Sequence, residues 1–351
     1  MIHPLDARRD VARKYPFVKL LPESWVEFAL RYKSPMAVSH ITGVKSLTGA
    51  EAEGWFVGCP LTPRLLAALP VEEVYRKIID TVKIGESLGA KIAGLGAHTS
   101  VVGDGGVSIA RGSNIAVTTG NSYTIASGIE GALRAAEVMN IDPSEARAAV
   151  VGACGSIGRT CAQVLSKSVA AMSLVDLSRE NVEAFASELR PSARGEVSAE
   201  TDLELGIRDA DIVIAVSSAV DSIIEPGWIK RGAVVCDIAR PRDVSARVVQ
   251  ERDDVLVIDG GVVEVPGDVD FAFDFGFPPK TAYACMSETM MLALEGRYES
   301  FTLGKEVSAQ QVEEITRLAA KHGFRLAGFR SFEKAVTDEQ IARIRENAGR
   351  R

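Results

Sequence analysis

Residues 146–158 read A-R-A-A-V-V-G-A-C-G-S-I-G, so a glycine-rich turn follows a short apolar run directly. Apolar residues then recur at helical spacing from Ile157 onward. This order predicts a buried strand, a tight loop and the start of a helix. The unpaired backbone amides of such a helix start carry partial positive charge and bind phosphate groups. The predicted phosphate-loop residues are Gly152, Gly155, Ser156, Ile157 and Gly158.

A second apolar run, residues 172–175, ends at Asp176. In a dinucleotide fold, an acid at the end of this strand binds the ribose hydroxyls of the adenosine. The acid favours NADH over NADPH because it would repel a 2′-phosphate. Arg179 lies close by in the sequence and could hold that phosphate instead, so the sequence leaves both NADH and NADPH open as cofactors.

Three further apolar runs lie at residues 211–216, 233–237 and 255–259. Uninterrupted runs of this length are typical of parallel strands that are buried on both faces. Gly260 follows the last run and is predicted to contact the cofactor. The pattern predicts an α/β fold with a Rossmann-like dinucleotide-binding domain. The alternative is an α/β sheet that binds no cofactor.

Composition excludes several classes of partner. The 351-residue chain has a net charge of −7 and no long basic run, which argues against nucleic acid and anionic membrane surfaces. No uncharged apolar stretch is long enough to span a membrane. The five cysteines and four histidines show neither disulfide nor metal-ligand spacing. We therefore expect reduced thiols, a cytoplasmic location and no metal.

Residues 277–296, F-P-P-K-T-A-Y-A-C-M-S-E-T-M-M-L-A-L-E-G, resemble the cyanobacterial long-chain acyl-(acyl carrier protein) reductases. The segments at 59–63, 95–100, 118–121, 151–158 and 259–264 are similar to blocks of the same family. The resemblance implies that a fatty acyl thioester of acyl carrier protein or CoA is reduced by NADPH to an aldehyde, through an acyl intermediate on Cys285. It also implies a possible partner enzyme that consumes the aldehyde.

A cysteine nucleophile suits this chemistry because it splits the reduction of a thioester into two easier steps. The thiolate is the reactive form, so we expect Cys285 to lie near a helix N-terminus or a cation. Pro278 and Pro279 favour a helix that begins just before it, over residues 280–295. Thr119 and Asn121, at the start of another predicted helix, are the predicted donors to the oxyanion.

Two other functions are compatible with the residues. Cys285 lies among apolar residues, where buried cysteines are common core residues. The chain would then be an amino-acid or hydroxy-acid NAD(P)-dependent dehydrogenase, although no convincing acid or base stands out. The third interpretation is a non-catalytic NAD(P)-binding sensor or scaffold. His98 stands where the resembled family has phenylalanine, and it either faces the substrate or is an exposed loop residue.

These patterns predict three regions. Residues 1–145 form an α/β N-terminal substrate domain, and residues 146–268 form the NAD(P)-binding Rossmann-like domain. Residues 269–351 form a helical C-terminal segment that carries the nucleophilic cysteine and packs on the N-terminal domain. Its last helix, near 338–347, has Thr337 and Gln340 as a capping box. Ile341, Ala342 and Ile344 form a narrow apolar stripe along it. We expect this helix to dock on the body of the protein or on a second subunit.

Overall fold

The computed structural model describes residues 1–239, 241–304, 306–332 and 334–349. Its contacts divide the chain into two compact units. Unit 1 comprises Met1–Tyr123, Val263–Lys305 and Glu313–Arg325, and unit 2 comprises Thr124–Val262, Glu306–Val312 and Leu326–Arg351. The boundaries predicted at residues 145 and 268 do not coincide with these. The last two residues of the predicted segment 269–351 lie outside the described residues.

The α-helices of the described residues are numbered in chain order, and most of them are short. They are α1 (Ala7–Ala12), α2 (Glu23–Tyr32), α3 (Pro63–Ala68), α4 (Val71–Ser87), α5 (Val107–Arg111), α6 (Asn121–Val138), α7 (Ser156–Leu165), α8 (Arg179–Leu189), α9 (Leu203–Ile207), α10 (Ala246–Glu251), α11 (Ala284–Leu294), α12 (Ala309–His322) and α13 (Asp338–Asn347). No helix in this part of the chain is long and apolar enough to cross a membrane.

The strands of the described residues are numbered in the same way. They are β1 (Met36–Lys45), β2 (Glu51–Gly58), β3 (Ile92–Gly94), β4 (Ala116–Thr118), β5 (Arg147–Val151), β6 (Ala171–Val175), β7 (Glu196–Glu200), β8 (Ile212–Ala215), β9 (Val234–Asp237), β10 (Leu256–Asp259), β11 (Val262–Glu264), β12 (Gly267–Asp270), β13 (Thr281–Tyr283), β14 (Arg325–Leu326), β15 (Arg330–Ser331) and β16 (Lys334–Ala335).

Unit 2 is built on a six-stranded parallel sheet with the order β10-β9-β8-β5-β6-β7. Alternate residues of one strand belong to different core layers: Val150 lies in one and Val151 in the other. All four residues of β8, β9 and β10 are buried, as expected for strands covered on both faces. The predicted α/β fold with a Rossmann-like domain is confirmed.

The sequence patterns do not predict strand β7. Its residues, E-V-S-A-E, are mostly polar, and Val197 alone among them is buried. The strand lies at the edge of the sheet, where it pairs only with β6. An edge strand buries less side-chain surface than a central strand, so its composition carries a weaker periodic signal.

Unit 1 contains an antiparallel sheet with the order β12-β1-β2 and the parallel pair β3-β4. Strands β1 and β2 pair with each other in antiparallel orientation. One core cluster of this unit includes Val74 and Ile78 from the amphipathic helix α4, together with Leu95 and Ile109. Strand β4 leads into residues 119 and 120 and then into α6. This core therefore positions residues 118–121, which we call the T-T-G-N segment.

Helix α11 begins at Ala284 rather than at Lys280, so the predicted start is wrong by one turn. Residues Thr281–Tyr283 form strand β13 instead. Lys280 has a φ of 63°, which lies outside the helical region, so the helix cannot begin there. The later start places Cys285 in the first turn of α11 rather than in its second.

Helix α13 docks on the core of unit 2. Its predicted capping box is confirmed, because Thr337 and Gln340 each bond the backbone of the other. Ile341 is buried in the core of unit 2. At the other end of the helix, the side-chain amide of Asn347 donates to the carbonyl of Asp253 at 3.1 Å. Ala342, which belonged to the predicted apolar stripe, is exposed.

We therefore expect Ile341→Ala to destabilise unit 2. Removing a buried isoleucine side chain costs about 2–5 kcal/mol through lost burial and the cavity that remains. Denaturant unfolding followed by circular dichroism measures the change. Arg343→Ala, on the exposed face of the same helix, is the control and should shift stability by less than about 0.5 kcal/mol. An equal stability for both variants would show that α13 is not part of the core.

Candidate functional site

The glycine loop of unit 2 joins β5 to α7 and leaves no room for larger residues. Gly152 has a φ of 80°, and a Cβ atom there would lie 2.8 Å from the Cα atom of Ser217. A Cβ atom on Gly158 would lie 2.1 Å from the carbonyl oxygen of Gly152. The glycines at these two positions therefore let the loop fold back on the first turn of the helix.

The start of α7 has the features of a phosphate site. Gly155 is the N-cap residue, and Ser156, Ile157 and Gly158 form the first helical turn, where backbone amides lack partners within the helix. The Oγ atom of Ser156 is buried and has no hydrogen-bond partner among the described residues. These donors and the narrow glycine cradle fit the pyrophosphate of a dinucleotide.

Asp176 lies against the glycine loop. One carboxylate oxygen accepts from the amide of Cys154 at 2.8 Å, and the other accepts from the amide of Leu177 at 2.8 Å. The Cys154 thiol also forms a hydrogen bond with this carboxylate. A carboxylate has about four acceptor positions, so the group can still accept a hydrogen bond from a ribose hydroxyl. Burial, together with Asp176, raises the pKa of Cys154 to about 11, which leaves that thiol unreactive at neutral pH.

Arg179 points to the end of β7. Its guanidinium group donates to the carbonyl of Ala199 at 3.0 Å and to the hydroxyl of Thr201 at 2.9 Å. These bonds engage two of its donor nitrogens within the protein. A 2′-phosphate beside Asp176 would therefore be repelled by the carboxylate. Arg179, which could neutralise the phosphate, is bound to Ala199 and Thr201 instead.

Gly260 is a close-packing position at the end of β10. A Cβ atom there would lie 2.6 Å from Cγ1 of Ile238 and 2.9 Å from the sulfur of Cys236. Both neighbours belong to the core of unit 2. The need for glycine at this residue thus follows from packing alone, whether or not a cofactor lies nearby.

Cys285 lies in unit 1, at the second residue of α11, and its side chain is partly exposed. Gly120, with a φ of 77°, lies directly on it. A Cβ atom on Gly120 would be 2.3 Å from the Cα atom of Cys285. The structure thus brings the predicted nucleophile and the T-T-G-N segment into direct contact, although their positions in the sequence are far apart.

The Cys285 thiol is not ionised by its surroundings. Burial raises its pKa above the ordinary range, and the backbone hydrogen bond from Ala97 lowers the pKa by less than burial raises it. Ala97 has a φ of 47°, a left-handed conformation that costs a non-glycine residue about 1–3 kcal/mol. The cysteine lies at a helix start as expected, but burial outweighs that effect.

Thr119 and Asn121 lie in the turn that carries Gly120. The Thr119 hydroxyl donates to the carbonyl of Thr302, and it accepts from the backbone amide of Asn121 at 3.4 Å. A hydroxyl has one proton, so Thr119 has none left for an oxyanion in this arrangement. Asn121 is the first residue of α6 and is 3% exposed.

The structure adds a residue that the sequence patterns do not nominate. Glu288 is completely buried and accepts hydrogen bonds from the hydroxyls of Thr118, Ser122 and Thr302. A sequence signal for it exists, because Glu288 is the charged residue within α11, a helix of otherwise uncharged and largely apolar side chains. An isolated charge in an apolar helix indicates a buried, hydrogen-bonded group.

His98 is partly buried and lies next to His3. The two rings are nearly perpendicular, with centroids 6.3 Å apart. Burial, followed by the neighbouring His98, lowers the pKa of His3 to about 4, so His3 is neutral at physiological pH. Among the described residues, no three histidine, cysteine, aspartate or glutamate side chains are grouped to hold a metal.

Known proteins and protein families are similar to residues of both units. The family model described as shikimate / quinate 5-dehydrogenase matches residues 134–260, which include the six-stranded sheet of unit 2. The chain is 27% identical to the long-chain acyl-(acyl-carrier-protein) reductase of Synechococcus elongatus over 336 residues, which cover 91% of this chain and 95% of that protein. It is 30% identical to aminotransferase PigE of a Serratia strain over 86% of this chain.

The chain spans 36% of the length of the Serratia protein. Among solved structures, it is similar to Thermococcus litoralis Δ1-pyrroline-2-carboxylate reductase in complex with NADH and L-proline. That likeness has a TM-score of 0.32 and 18% identity, and covers 38% of this chain and 42% of the other. Shikimate 5-dehydrogenase of Listeria monocytogenes matches with a TM-score of 0.31 and 12% identity, over 42% and 62% of the two chains. At these scores the structural likenesses carry no argument about function.

The raised pKa of Cys285 predicts slow alkylation at neutral pH. We expect the rate with iodoacetamide to be lower than that of an ordinary thiol at pH 7 and to keep rising above pH ~8.5, because only the thiolate reacts. Intact-protein mass spectrometry across a pH series gives the rates. Cys285→Ala is the control for the other cysteines. A rate that levels off below pH ~8 would show that the thiol is already ionised at neutral pH.

Proposed function

We propose that this protein is an NAD(P)H-dependent reductase that converts a fatty acyl thioester to an aldehyde through an acyl group bound to Cys285. The observation that carries the proposal is the partly exposed cysteine in the first turn of α11, in contact with Gly120 and with a backbone donor at Ala97. The 27% identity to a Synechococcus elongatus acyl-(acyl-carrier-protein) reductase along most of both chains supports the same reaction.

The cofactor is NAD(P)H, which supplies a hydride to the carbonyl carbon of the acyl group. The loop residues Gly152, Gly155, Ser156, Ile157 and Gly158 would hold its pyrophosphate at the start of α7. Asp176 would accept a hydrogen bond from the adenosine ribose, at the acceptor position that its contacts with the loop leave free.

In the first step, the sulfur of Cys285 attacks the acyl carbonyl carbon. A new carbon–sulfur bond forms, the bond to the carrier sulfur breaks, and the carrier leaves as a thiol with the proton that Cys285 loses. The thiol of Cys285 is protonated at neutral pH, so this proton must leave as the bond forms. The backbone amide of Ala97 donates a hydrogen bond to the sulfur, where negative charge develops.

In the second step, the acyl carbon is reduced and a thiohemiacetal remains on Cys285. It loses its proton from oxygen, the carbon–sulfur bond breaks, and the aldehyde leaves while the cysteine regains a proton. One thioester, one hydride and one proton thus give one aldehyde and one carrier thiol. Acyl carrier protein and CoA both present the same thioester, and both are proposed as carriers.

Cys285→Ala should abolish aldehyde formation and acylation while cofactor binding persists, because the residue forms the covalent bond but does not hold the dinucleotide. The measurements are label transfer from a radiolabelled palmitoyl thioester of acyl carrier protein or CoA, aldehyde detection after NADH or NADPH is added, and cofactor binding by fluorescence.

Cys161→Ala is the matched control, since that cysteine is fully buried and burial raises its pKa to about 12. Near-normal turnover by Cys285→Ala would refute the proposed mechanism. It would favour instead the NAD(P)-dependent dehydrogenase with a structural cysteine. Cofactor binding without turnover in the unmodified protein would favour the sensor or scaffold.

Cofactor choice gives a second test. A carboxylate that faces a phosphate should disfavour NADPH by about 1–3 kcal/mol, which is roughly ten- to a hundredfold in kcat/KM. Asp176→Asn should narrow this preference, because an amide keeps the acceptor but removes the charge. The ratio of kcat/KM for the two cofactors is the measure, since the same residue also supports the loop.

Arg179→Ala is the companion variant. Its guanidinium group is bound to Ala199 and Thr201, so we expect the NADH to NADPH ratio to change little. A strong preference of the wild-type protein for NADPH that disappears in Arg179→Ala would show that this arginine turns towards the cofactor and governs the choice.

A further inference from the structure

Glu288 is a fully buried carboxylate that the proposed reaction does not use. Its Oε1 atom accepts from the hydroxyl of Thr118 at 2.5 Å and from that of Thr302 at 3.0 Å. Its Oε2 atom accepts from the hydroxyl of Ser122 at 2.5 Å and from the amide of Tyr123 at 3.0 Å. Each oxygen therefore has two donors.

Hydrogen bonds compensate for the burial of Glu288. Its carboxyl oxygens lie within hydrogen-bond distance of three hydroxyls and one backbone amide, which replace the water that burial removes. No lysine or arginine pairs with it among the described residues. The carboxyl group lies instead at the N-terminus of α6, whose first turn includes Ser122 and Tyr123.

The hydrogen bonds of Glu288 span the turn that contacts the nucleophile. Thr118 precedes Gly120, and Ser122 and Tyr123 follow it, so one carboxylate ties down both ends of the turn. Glu288 itself lies one helical turn after Cys285 in α11. Since Gly120 lies on the backbone of Cys285, the network fixes the turn and the cysteine relative to each other.

Thr302 extends the network and is itself strained. Its φ is 49°, which costs a β-branched residue about 1–3 kcal/mol. The single proton of its hydroxyl is shared between Glu288 at 3.0 Å and the Ser122 hydroxyl oxygen at 3.3 Å, and its carbonyl accepts from the hydroxyl of Thr119. These hydrogen bonds hold the strained residue against the same turn. Such strain persists only where the surroundings determine the conformation strongly.

We propose that Glu288 is a positioning residue, which holds the turn at residues 118–123 against the first turn of α11 so that Cys285 meets the thioester carbonyl in a fixed geometry. The inference rests on the proposed function. We assign Glu288 no proton transfer, because its carboxyl oxygens are engaged with Thr118, Ser122, Tyr123 and Thr302. Its effect is on the rate of acylation of Cys285 rather than on the affinity for the thioester.

The test compares wild-type protein with Glu288→Gln, at a temperature well below both melting points. Single-turnover acylation with a palmitoyl-CoA thioester should be slower by about ten- to a hundredfold, since a misplacement near 1 Å can cost that much. The thioester concentration at half-maximal rate should change by no more than about threefold. Alkylation by iodoacetamide should be as fast or faster, because the variant lacks a buried anion that disfavours the thiolate.

Ser287→Ala is the matched control. This residue is equally buried in the same helix, but its hydroxyl donates to the carbonyl of Tyr283 and not to the turn. We expect wild-type acylation from it. Ser122→Ala removes one of the four donors to Glu288 and should give a smaller loss of acylation in the same direction. It tests the proposal even where Glu288→Gln does not fold.

The outcomes separate the two proposals. Acylation of Glu288→Gln within about twofold of wild type would overturn this inference alone. So would a loss of acylation no larger than the loss of folded protein measured by circular dichroism, because the folded fraction alone would then explain it. If wild-type Cys285 takes up no acyl group from either thioester, the proposed function fails and this inference fails with it.

Discussion

The candidate site of unit 1 depends on the close contact between Gly120 and the backbone of Cys285. A Cβ atom at residue 120 would lie 2.3 Å from the Cα atom of Cys285, so a side chain there would have to displace α11 or the turn. The contact joins two segments that are distant in sequence. The strand pair β3-β4 brings one of them into place, and β13 leads into the other.

In unit 2, backbone groups rather than side chains form most of the candidate cofactor site. Its phosphate loop depends on glycines that let the chain approach itself, and on a helix start whose amides remain unpaired. Asp176 holds the loop through the amide of Cys154. If it also accepts from a ribose, as proposed, it would couple the affinity for the cofactor to the conformation of the loop.

Two polar side chains of unit 1 respond to burial in different ways. Burial raises the pKa of the Cys285 thiol and keeps it protonated at neutral pH. Glu288 is buried as well, but hydroxyls and a backbone amide replace the water that its carboxyl group loses. A protonated thiol reacts slowly with small electrophiles, so the proposed acylation would depend on how well a bound thioester is placed against the sulfur.

The sequence by itself determined the α/β class, the strand–loop–helix at residues 147–165 and the central strands, because buried parallel strands and glycine loops leave local patterns. It also indicated Cys285 and the T-T-G-N segment. Only the tertiary structure decided that Gly120 contacts Cys285 and that the Thr119 hydroxyl donates a hydrogen bond to the Thr302 carbonyl. It also decided that Glu288 accepts a hydrogen bond from Thr118 in the same turn. These relations depend on long-range hydrogen bonds and packing, which no spacing within one segment encodes. For the same reason, the polar edge strand β7 and the start of α11 at Ala284 became apparent only in the fold.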